Sequence, residues 1–182
     1  MKFKLQPKFT AGDIDKQVAE MLKRVNKVML NELTQVGLEA VRSARLKVPY
    51  KEYHADAKDL VTAAKLAGGS IDFDSAGGFN DQTGNLRSSI GFIILYNGEV
   101  VHENFELSPR GTDKQEGLAA GKRYAEEAGA TVQTGWGIIT VAGMEYASWV
   151  EARGYDVITG STLYAKEDLQ KALKRINKLK FS

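Results

Sequence analysis

The chain has 182 residues, of which 43% are apolar and 26% charged, and its formal net charge is +2. Such a chain can build a globular core without disulfides or a structural metal. The absence of cysteine excludes thiol chemistry. No stretch approaches the ~20 apolar residues of a membrane span, and residues 1–9 lack the apolar core of a signal peptide. We therefore expect a single domain over residues 1–182, located in a cytoplasm and without a membrane partner.

The charges are distributed unevenly along the chain. Residues 1–51 carry a net charge of +6, residues 52–165 carry −8 and residues 166–182 carry +4. Two basic ends that flank an acidic middle suit contact between copies or with a partner, because complementary potentials orient the molecules. The alternative interpretation is a set of lysine-rich helices that face solvent.

A long amphipathic helix is predicted to begin near Asp13 and to end before Pro49. Asp13 is the expected N-cap, and Pro49 disfavours helical geometry in the residue before it. A helix of about 30 residues reaches ~45 Å, which is longer than a domain of this size requires, so we expect it to contact another copy. The apolar residues recur at steps of three and four: Ile14, Val18, Met21, Leu22, Val25, Val28, Met29, Leu33, Val36, Ala40, Val41 and Ala44.

Residues 50–82 form an irregular segment with a short helical candidate at Ala55–Ala67. The segment also contains two glycine pairs and the carboxylates of Asp72, Asp74 and Asp81. Long loops within small domains are usually functional or become ordered on binding. We therefore expect a flexible insertion that a partner orders.

A β-hairpin is predicted over residues 89–107. Ser89–Tyr96 and Glu99–Leu107 are rich in β-branched and aromatic residues, and the Asn97–Gly98 pair between them favours a tight hairpin turn. Thr131–Gly143 is an apolar segment that predicts a third strand. The sheet is therefore expected to be small and antiparallel.

Helical patterns surround this sheet. Thr112–Ala128 predicts a helix that Gly117 and Gly121 weaken, and Glu145–Arg153 predicts a short helix. Asp156–Ile158 is interpreted as a brief strand. A basic C-terminal helix is predicted over Thr162–Lys180, with an apolar stripe made of Leu163, Leu169, Leu173, Ile176 and Leu179. This order of elements indicates an α+β fold rather than strict βαβ alternation.

The sequence lacks the common motifs of nucleophilic catalysis, phosphate binding and metal binding. The two histidines are His54 and His102, and no nucleophile elbow or glycine-rich phosphate loop occurs in the sequence. His54, Asp56 and Asp59 have the spacing of a helical turn, at which they could form a hydrolase site or a metal site. This is the least favoured alternative. We expect no catalytic residue, no metal and no cofactor.

The C-terminal segment leaves a second alternative open. Residues 166–180 contain six basic residues on an amphipathic pattern, and such a helix can contact phosphate groups. A cytoplasmic or mobile-element module that binds nucleic acid is therefore the alternative function. The near-neutral net charge of the whole chain argues against a dedicated nucleic-acid binder.

Two segments, Asp81–Ile90 and Ala142–Gly154, carry a resemblance to a known family. The sequence resembles the neck, head–tail joining and tail-completion proteins of tailed bacteriophages, which combine D-T-G-x-L-R-x-S-I with a later Y-A-x-x-V-E-x-G. Departures are Gln82 within the first segment, Ala152–Arg153 before the final glycine, and the acidic insertion. The matching residues are Thr83, Gly84, Leu86, Arg87, Ser89 and Ile90, followed by Tyr146, Ala147, Val150, Glu151 and Gly154.

The resemblance implies a non-enzymatic structural protein of the virion. It implies tail completion and head–tail joining by a ring of copies, hexameric in this family, around the DNA channel. The implied partners are the tail tube or tail terminator and the head-completion or portal-side proteins. DNA would pass through the lumen without sequence-specific binding. The implied location is the neck or upper tail of the virion, after synthesis in the host cytoplasm.

The residues of the two segments also permit a direct physical interpretation. Gly84 can adopt a turn conformation that other residues avoid, and Leu86 can anchor that turn to the core. Arg87 offers a planar fork to a carboxylate such as Glu151, within one subunit or between two. Trp149 is equally compatible with the core and with an interface. The predicted contact residues are Thr83, Gly84, Leu86, Arg87, Tyr146, Trp149, Glu151, Lys174 and Arg175.

Overall fold

A three-stranded antiparallel sheet lies at the centre of the fold. The computed structural model describes residues 10–46, 81–109, 111–153, 155 and 157–178. The combination of helices with one antiparallel sheet confirms the predicted α+β fold class. The elements are α1 (Ala11–Leu46), α2 (Asn85–Ser89), β1 (Ile90–Tyr96), β2 (Glu99–Phe105), α3 (Lys114–Gly129), β3 (Trp136–Ala142), α4 (Ala147–Ala152) and α5 (Thr159–Lys178).

The sheet has the strand order β2-β1-β3, and both pairings are antiparallel. Ile94 of β1 lies opposite His102 of β2 on one side and Ile138 of β3 on the other. Asn97 and Gly98 have φ angles of 52° and 85°, which a two-residue turn of the primed type requires. The predicted hairpin and the third strand are therefore confirmed.

The central strand is buried on both faces, which explains its continuous apolar sequence. Phe92 and Ile94 belong to a core cluster that includes Leu33 of α1. Ile93 and Leu95 belong to a second cluster that includes residues of α3 and β3. Helices therefore cover both faces of the sheet, with α1 on one side and α3 on the other.

The long helix α1 begins two residues before the predicted N-cap. Thr10 is the N-cap, because the backbone N–H of Asp13 donates to Thr10 Oγ1 at 3.3 Å and Thr10 N donates to Asp13 Oδ2 at 3.0 Å. Asp13 is therefore the third helical residue of a reciprocal cap, and the assignment of Asp13 as N-cap is wrong. The helix ends at Leu46, before Pro49 as predicted.

Helix α5 packs antiparallel along the second half of α1. Arg175 forms an ion pair with Glu32, and Leu169, one and a half turns earlier in α5, shares a groove with Val36. The predicted apolar stripe of this helix is partly wrong, because Leu163 and Leu173 are exposed. The side chains that α5 buries are Ser161, Asp168, Ala172 and Ile176, and Leu179 lies outside the described residues.

The brief strand predicted at Asp156–Ile158 is wrong for the residues that the structure describes. Val157 is buried and Ile158 immediately precedes α5, and neither residue belongs to a strand. The backbone N–H groups of Ile158 and Thr159 donate to Glu151 Oε1 at 3.0 and 2.8 Å. These donors therefore cap the start of α5 instead of extending the sheet.

The glycines of α3 serve close packing. A Cβ on Gly117 would lie 2.1 Å from the carbonyl oxygen of Asn85, and a Cβ on Gly121 would lie 2.5 Å from that of Ser89. A Cβ on Gly129 would lie 3.0 Å from Ile93 Cδ1 and 3.2 Å from Leu95 Cδ2, which is a tight contact with side chains rather than with backbone. These glycines let the backbone of α3 approach α2 and the start of β1, so a feature that weakens an isolated helix is needed for this contact.

Three further predictions concern the remaining parts of the chain. The helices predicted at Thr112–Ala128 and Glu145–Arg153 are confirmed as α3 and the shorter α4. The insertion predicted at 50–82, with its helical candidate at Ala55–Ala67, lies outside the described residues except for 81–82. Across the described ranges, none of the helices combines the length and the apolar character that a bilayer crossing requires.

Candidate subunit-contact site

The first motif segment forms a buried turn that leads into the central strand. Gly84 has a φ angle of 76°, in the left-handed region that favours glycine, and it is followed directly by α2. The backbone N–H of Arg87 donates to Asp81 Oδ2 at 2.8 Å, and Ser88 Oγ donates to the Gly84 carbonyl at 2.6 Å. The turn is therefore held by its own polar side chains, and the role predicted for Gly84 is confirmed.

The side chains of this turn point into the molecule. Leu86 belongs to the main core cluster, as predicted, and Arg87 is only 6% exposed. Gly111 packs closely against this turn, since a Cβ on Gly111 would lie 2.1 Å from the Thr83 carbonyl oxygen. Leu86 and Arg87 thus hold the turn within its own subunit, and any contact with a neighbour falls to more exposed residues.

The second motif segment presents aromatic side chains to solvent. Trp149 in α4 is 56% exposed, whereas Ala147 in the same helix is buried against the core. The guanidinium of Arg153 lies 3.8 Å from the centre of the Trp149 ring, at the distance of a cation–π contact. Of the two interpretations of Trp149, the structure supports the exposed one.

Tyr146 connects the two motif segments. Burial raises the pKa of the Tyr146 hydroxyl, the carboxylate of Asp81 raises it further, a hydrogen bond with the Thr83 side chain lowers it, and Glu116 raises it. Thr83 and Tyr146 are thus in contact although they are 63 positions apart in the sequence. The backbones also meet, because Gly143 N donates to the Ser89 carbonyl at 3.2 Å.

Glu151 caps α5 within its own chain. Burial raises the pKa of this carboxyl, but the hydrogen bonds from Ile158, Thr159 and Val157 outweigh burial and hold the pKa below its ordinary value. The carboxylate thereby satisfies donors that the start of a helix leaves without partners. Glu151 fixes α4 to α5, and through α4 it fixes the position of Trp149.

The basic residues of α5 have two different environments. Arg175 pairs with Glu32 of α1, and Lys171 pairs with Asp168 at 2.7 Å. Lys166, Lys174 and Lys178 are exposed. Of the two contact residues predicted on this helix, Arg175 therefore links α5 to α1, whereas Lys174 faces solvent.

A cavity lined by arginines was missed from the sequence. Arg45 donates to the Ile90 carbonyl from Nε at 3.1 Å and from Nη2 at 2.9 Å, and its Nη1 lies 3.3 Å from Glu106 Oε2. Burial lowers the pKa of Arg45 to about 10, although Glu106 raises it. Together with Arg42 and Arg87, the Arg45 side chain lines a cavity of about 220 Å³. The sequence signal that could have indicated this cavity is the position of Arg45, a basic residue directly beside the apolar stripe of α1.

The described residues contain little that resembles catalytic machinery. His102 of β2 lies against the Phe92 ring, with 5.8 Å between the ring centres, and His54 lies outside the described residues. Within the part of the chain that the structure describes, no group of three histidine, cysteine, aspartate or glutamate side chains could hold a metal ion.

Comparison with family models, with curated proteins and with solved structures finds no match to this chain. The functional argument therefore rests on the two motif segments and on the geometry that they adopt.

Proposed function

We propose that this chain is a non-enzymatic structural subunit of a tailed-bacteriophage particle. It acts at the neck or upper tail in tail completion and head–tail joining, as a ring of copies around the DNA channel. Its partners are further copies of itself, the tail tube or tail terminator, and the head-completion or portal-side proteins. The ring is hexameric by resemblance to the family, and DNA passes through its lumen without sequence-specific binding.

The observation that carries this proposal is the junction of the two motif segments. The two segments are distant in sequence but adjacent in the fold, because Ile90 of β1 pairs with Ala142 of β3 and Gly143 N donates to the Ser89 carbonyl at 3.2 Å. Thr83 and Tyr146 interact at the same junction. Two short motifs that match the same family and also share one structural junction support the resemblance more strongly than either motif alone. That junction lies beside the exposed Trp149 and supports a subunit contact at this place.

The decisive experiment uses a phage or induced prophage whose copy of this gene carries an early stop codon. We expect electron microscopy of the lysate to show filled heads beside unattached or abnormal tails, and complementation with the wild-type gene to restore joined virions. Normal joined virions without complementation would refute the structural role.

Complementation with point variants then tests the aromatic contact. Trp149→Ala should lower the titre by at least about tenfold, because exposed tryptophans often dominate interface energies. Tyr124→Ala removes an aromatic side chain of similar exposure from α3 and serves as the matched control. Equal titres for the two variants would contradict a contact at Trp149.

The nucleic-acid alternative is tested with the purified chain. The exposed Lys166, Lys174 and Lys178 support it, whereas the pairing of Lys171 and Arg175 with carboxylates of the same chain reduces the charge available for phosphate. We expect no shift of duplex DNA at low salt. A shift that disappears at higher salt, together with normal virions from the stop-codon lysate, would favour the alternative.

A further inference from the structure

The first half of α1 exposes a continuous apolar stripe. Residues 12–24, which we call the arm, are all exposed. The arm contains four large apolar side chains, Ile14, Val18, Met21 and Leu22, which are 42% to 54% exposed. Their spacing of three and four residues places them on one face of the helix. A contiguous apolar face of this kind usually marks an interaction surface.

A second exposed apolar surface lies at the other end of the molecule. We call it the aromatic end, and it consists of Tyr146 and Trp149. Glu151 ties this region to the first turn of α5, and α5 runs antiparallel to α1. The aromatic end therefore lies near the C-terminal half of α1, about 35 Å along the helix axis from the centre of the arm.

The arm as a whole is neutral, but its part from Lys16 to Arg24 carries a net charge of +2, opposite in sign to the carboxylates around Tyr146. The arm has Lys16, Lys23 and Arg24 from its second turn onward, with Glu20 among them, and Asp13 and Asp15 at its start. The carboxylates around Tyr146 are Asp81 and Glu116, which raise the pKa of its hydroxyl, and Glu145, which precedes it in the chain. Arg153 is a cation within the aromatic end, and its stacking holds it on the Trp149 ring.

We propose that the arm of one copy docks on the aromatic end of the next copy. The stripe from Ile14 to Leu22 covers Tyr146 and Trp149, and the basic residues of the arm face the carboxylates around Tyr146. This inference rests on the proposed ring and names the two surfaces that join its subunits. A single chain offers one arm and one aromatic end at different places, so the contact is heterologous and repeats from copy to copy until the ring closes.

The size of the two surfaces determines how the contact behaves in solution. Four half-exposed aliphatic side chains and two aromatic ones bury well below the roughly 1,600 Å² of a standard interface. One arm on one aromatic end is therefore a weak, rapidly exchanging contact. Closure of the ring and the surrounding particle add the contacts that make it permanent. A covalent trap is the appropriate measurement, because it accumulates short-lived encounters.

The test uses engineered cysteines, since the chain has none of its own. Val18→Cys places a thiol in the arm, and Ser148→Cys places one beside Trp149 without altering the aromatic side chains; both positions are exposed. The two purified variants are mixed at high concentration and oxidised. We expect the mixed disulfide to form at least about tenfold faster than either homodimer, because hot-spot contacts bring these surfaces together. A chain that carries both cysteines should form a ladder of oligomers.

A matched control places the second thiol elsewhere. Gln133→Cys lies in the exposed loop before β3, at the opposite end of that strand from Tyr146. Val18→Cys with Gln133→Cys should form mixed disulfide at the slow background rate. Equal rates for the Ser148 and Gln133 partners would overturn the proposal. A predominance of Val18 homodimers would also overturn it, in favour of arm-to-arm pairing.

Charge reversal provides an independent readout of orientation. Lys23→Glu in the arm variant should lower the yield of mixed disulfide, and Glu145→Lys in the Ser148 variant should restore it, because the pair is reversed. No restoration would contradict the predicted facing of the charges. These measurements use purified protein, so they can fail while the stop-codon lysate still shows a joining defect. A mixed disulfide together with normal virions would support the contact between copies and refute its place in a joining ring.

Discussion

The two halves of α1 have the same apolar spacing but different environments. In the half that spans residues 28–46, Leu33 is 4% exposed and packs with β1, whereas Leu22 in the arm is 53% exposed. The difference arises from what lies opposite, because Arg175, close to the C-terminal end of α5, already pairs with Glu32. The periodicity of a helix therefore predicts which face is apolar but leaves open what covers that face.

The largest contrast is expected from one substitution made in each half. Leu33→Ala should lower the free energy of unfolding by about 2–5 kcal/mol, because it opens a cavity in the core. Leu22→Ala should change it by less than about 0.5 kcal/mol in dilute solution, because its side chain faces water. Urea unfolding followed by circular dichroism measures both values. Similar losses would show that the arm is covered within the monomer.

A glycine in each half of α1 allows the same comparison, because the two glycines differ in how closely other atoms approach them. A Cβ on Gly37 would lie 2.6 Å from ring atoms of the buried Phe92, so Gly37→Ala should destabilise the fold by roughly 1–3 kcal/mol. Gly12→Ala meets only Thr10 Oγ1 at 3.9 Å and should be neutral or slightly stabilising, since alanine favours helix. Thermal unfolding of the two variants gives the comparison, and a stabilised Gly37→Ala variant would contradict the packing described for Phe92.

Weakening the cap of α5, which covers the second half of α1, should destabilise the fold but leave the arm unchanged. Glu151→Gln weakens the cap of α5 and should cost about 1 kcal/mol at neutral pH. The folded-state pKa of Glu151 lies below its ordinary value, so this stability is present at neutral pH and is lost as the pH falls through the folded pKa. Wild type and variant should therefore converge in unfolding experiments once the pH falls below the folded-state pKa of Glu151.

The control for this pH dependence is Glu126→Gln on the exposed surface of α3. It should leave stability unchanged at both ends of the pH range. A constant difference between wild type and Glu151→Gln across that range would contradict the capping role.

The smallest effect is expected at the boundary between the two halves. The ion pair of Arg175 with Glu32 is largely exposed on the arginine side, so Arg175→Gln should cost less than about 1 kcal/mol. The loss should decrease further in high salt, because salt screens exposed charges. Lys174→Gln, one position away and exposed, is the matched control. Denaturant midpoints at low and high salt measure this difference, and a loss that salt leaves unchanged would point to packing rather than charge.

Local sequence signals predicted most of the fold. The turn residues Asn97 and Gly98 determined the hairpin, and the long apolar repeat predicted a helix of about 30 residues where the structure has one of 36. Asp156–Ile158 was interpreted as a brief strand, but the backbone N–H of Ile158 donates to the Glu151 carboxylate at the start of α5 instead. Two apolar residues in sequence do not specify which distant group binds their backbone.

The candidate site was predicted only where short-range geometry determines it. The left-handed Gly84 and the anchoring Leu86 follow from local turn chemistry. The exposure of Trp149 depends on how α4 packs against the core, and the burial of Arg45 depends on the Ile90 carbonyl, 45 positions away. Such long-range pairings are not contained in the spacing of residues along one helix.

The close approach of α3 to its neighbours also has a mechanical consequence. Side chains absorb a small displacement by changing rotamer, but Gly117 and Gly121 place one backbone directly against another, where no rotamer is available. The joint between α3 and α2 is therefore stiff. Under mechanical load, α2 and α3 should move as one rigid piece, and compliance should reside in the side-chain contacts between α1 and α5.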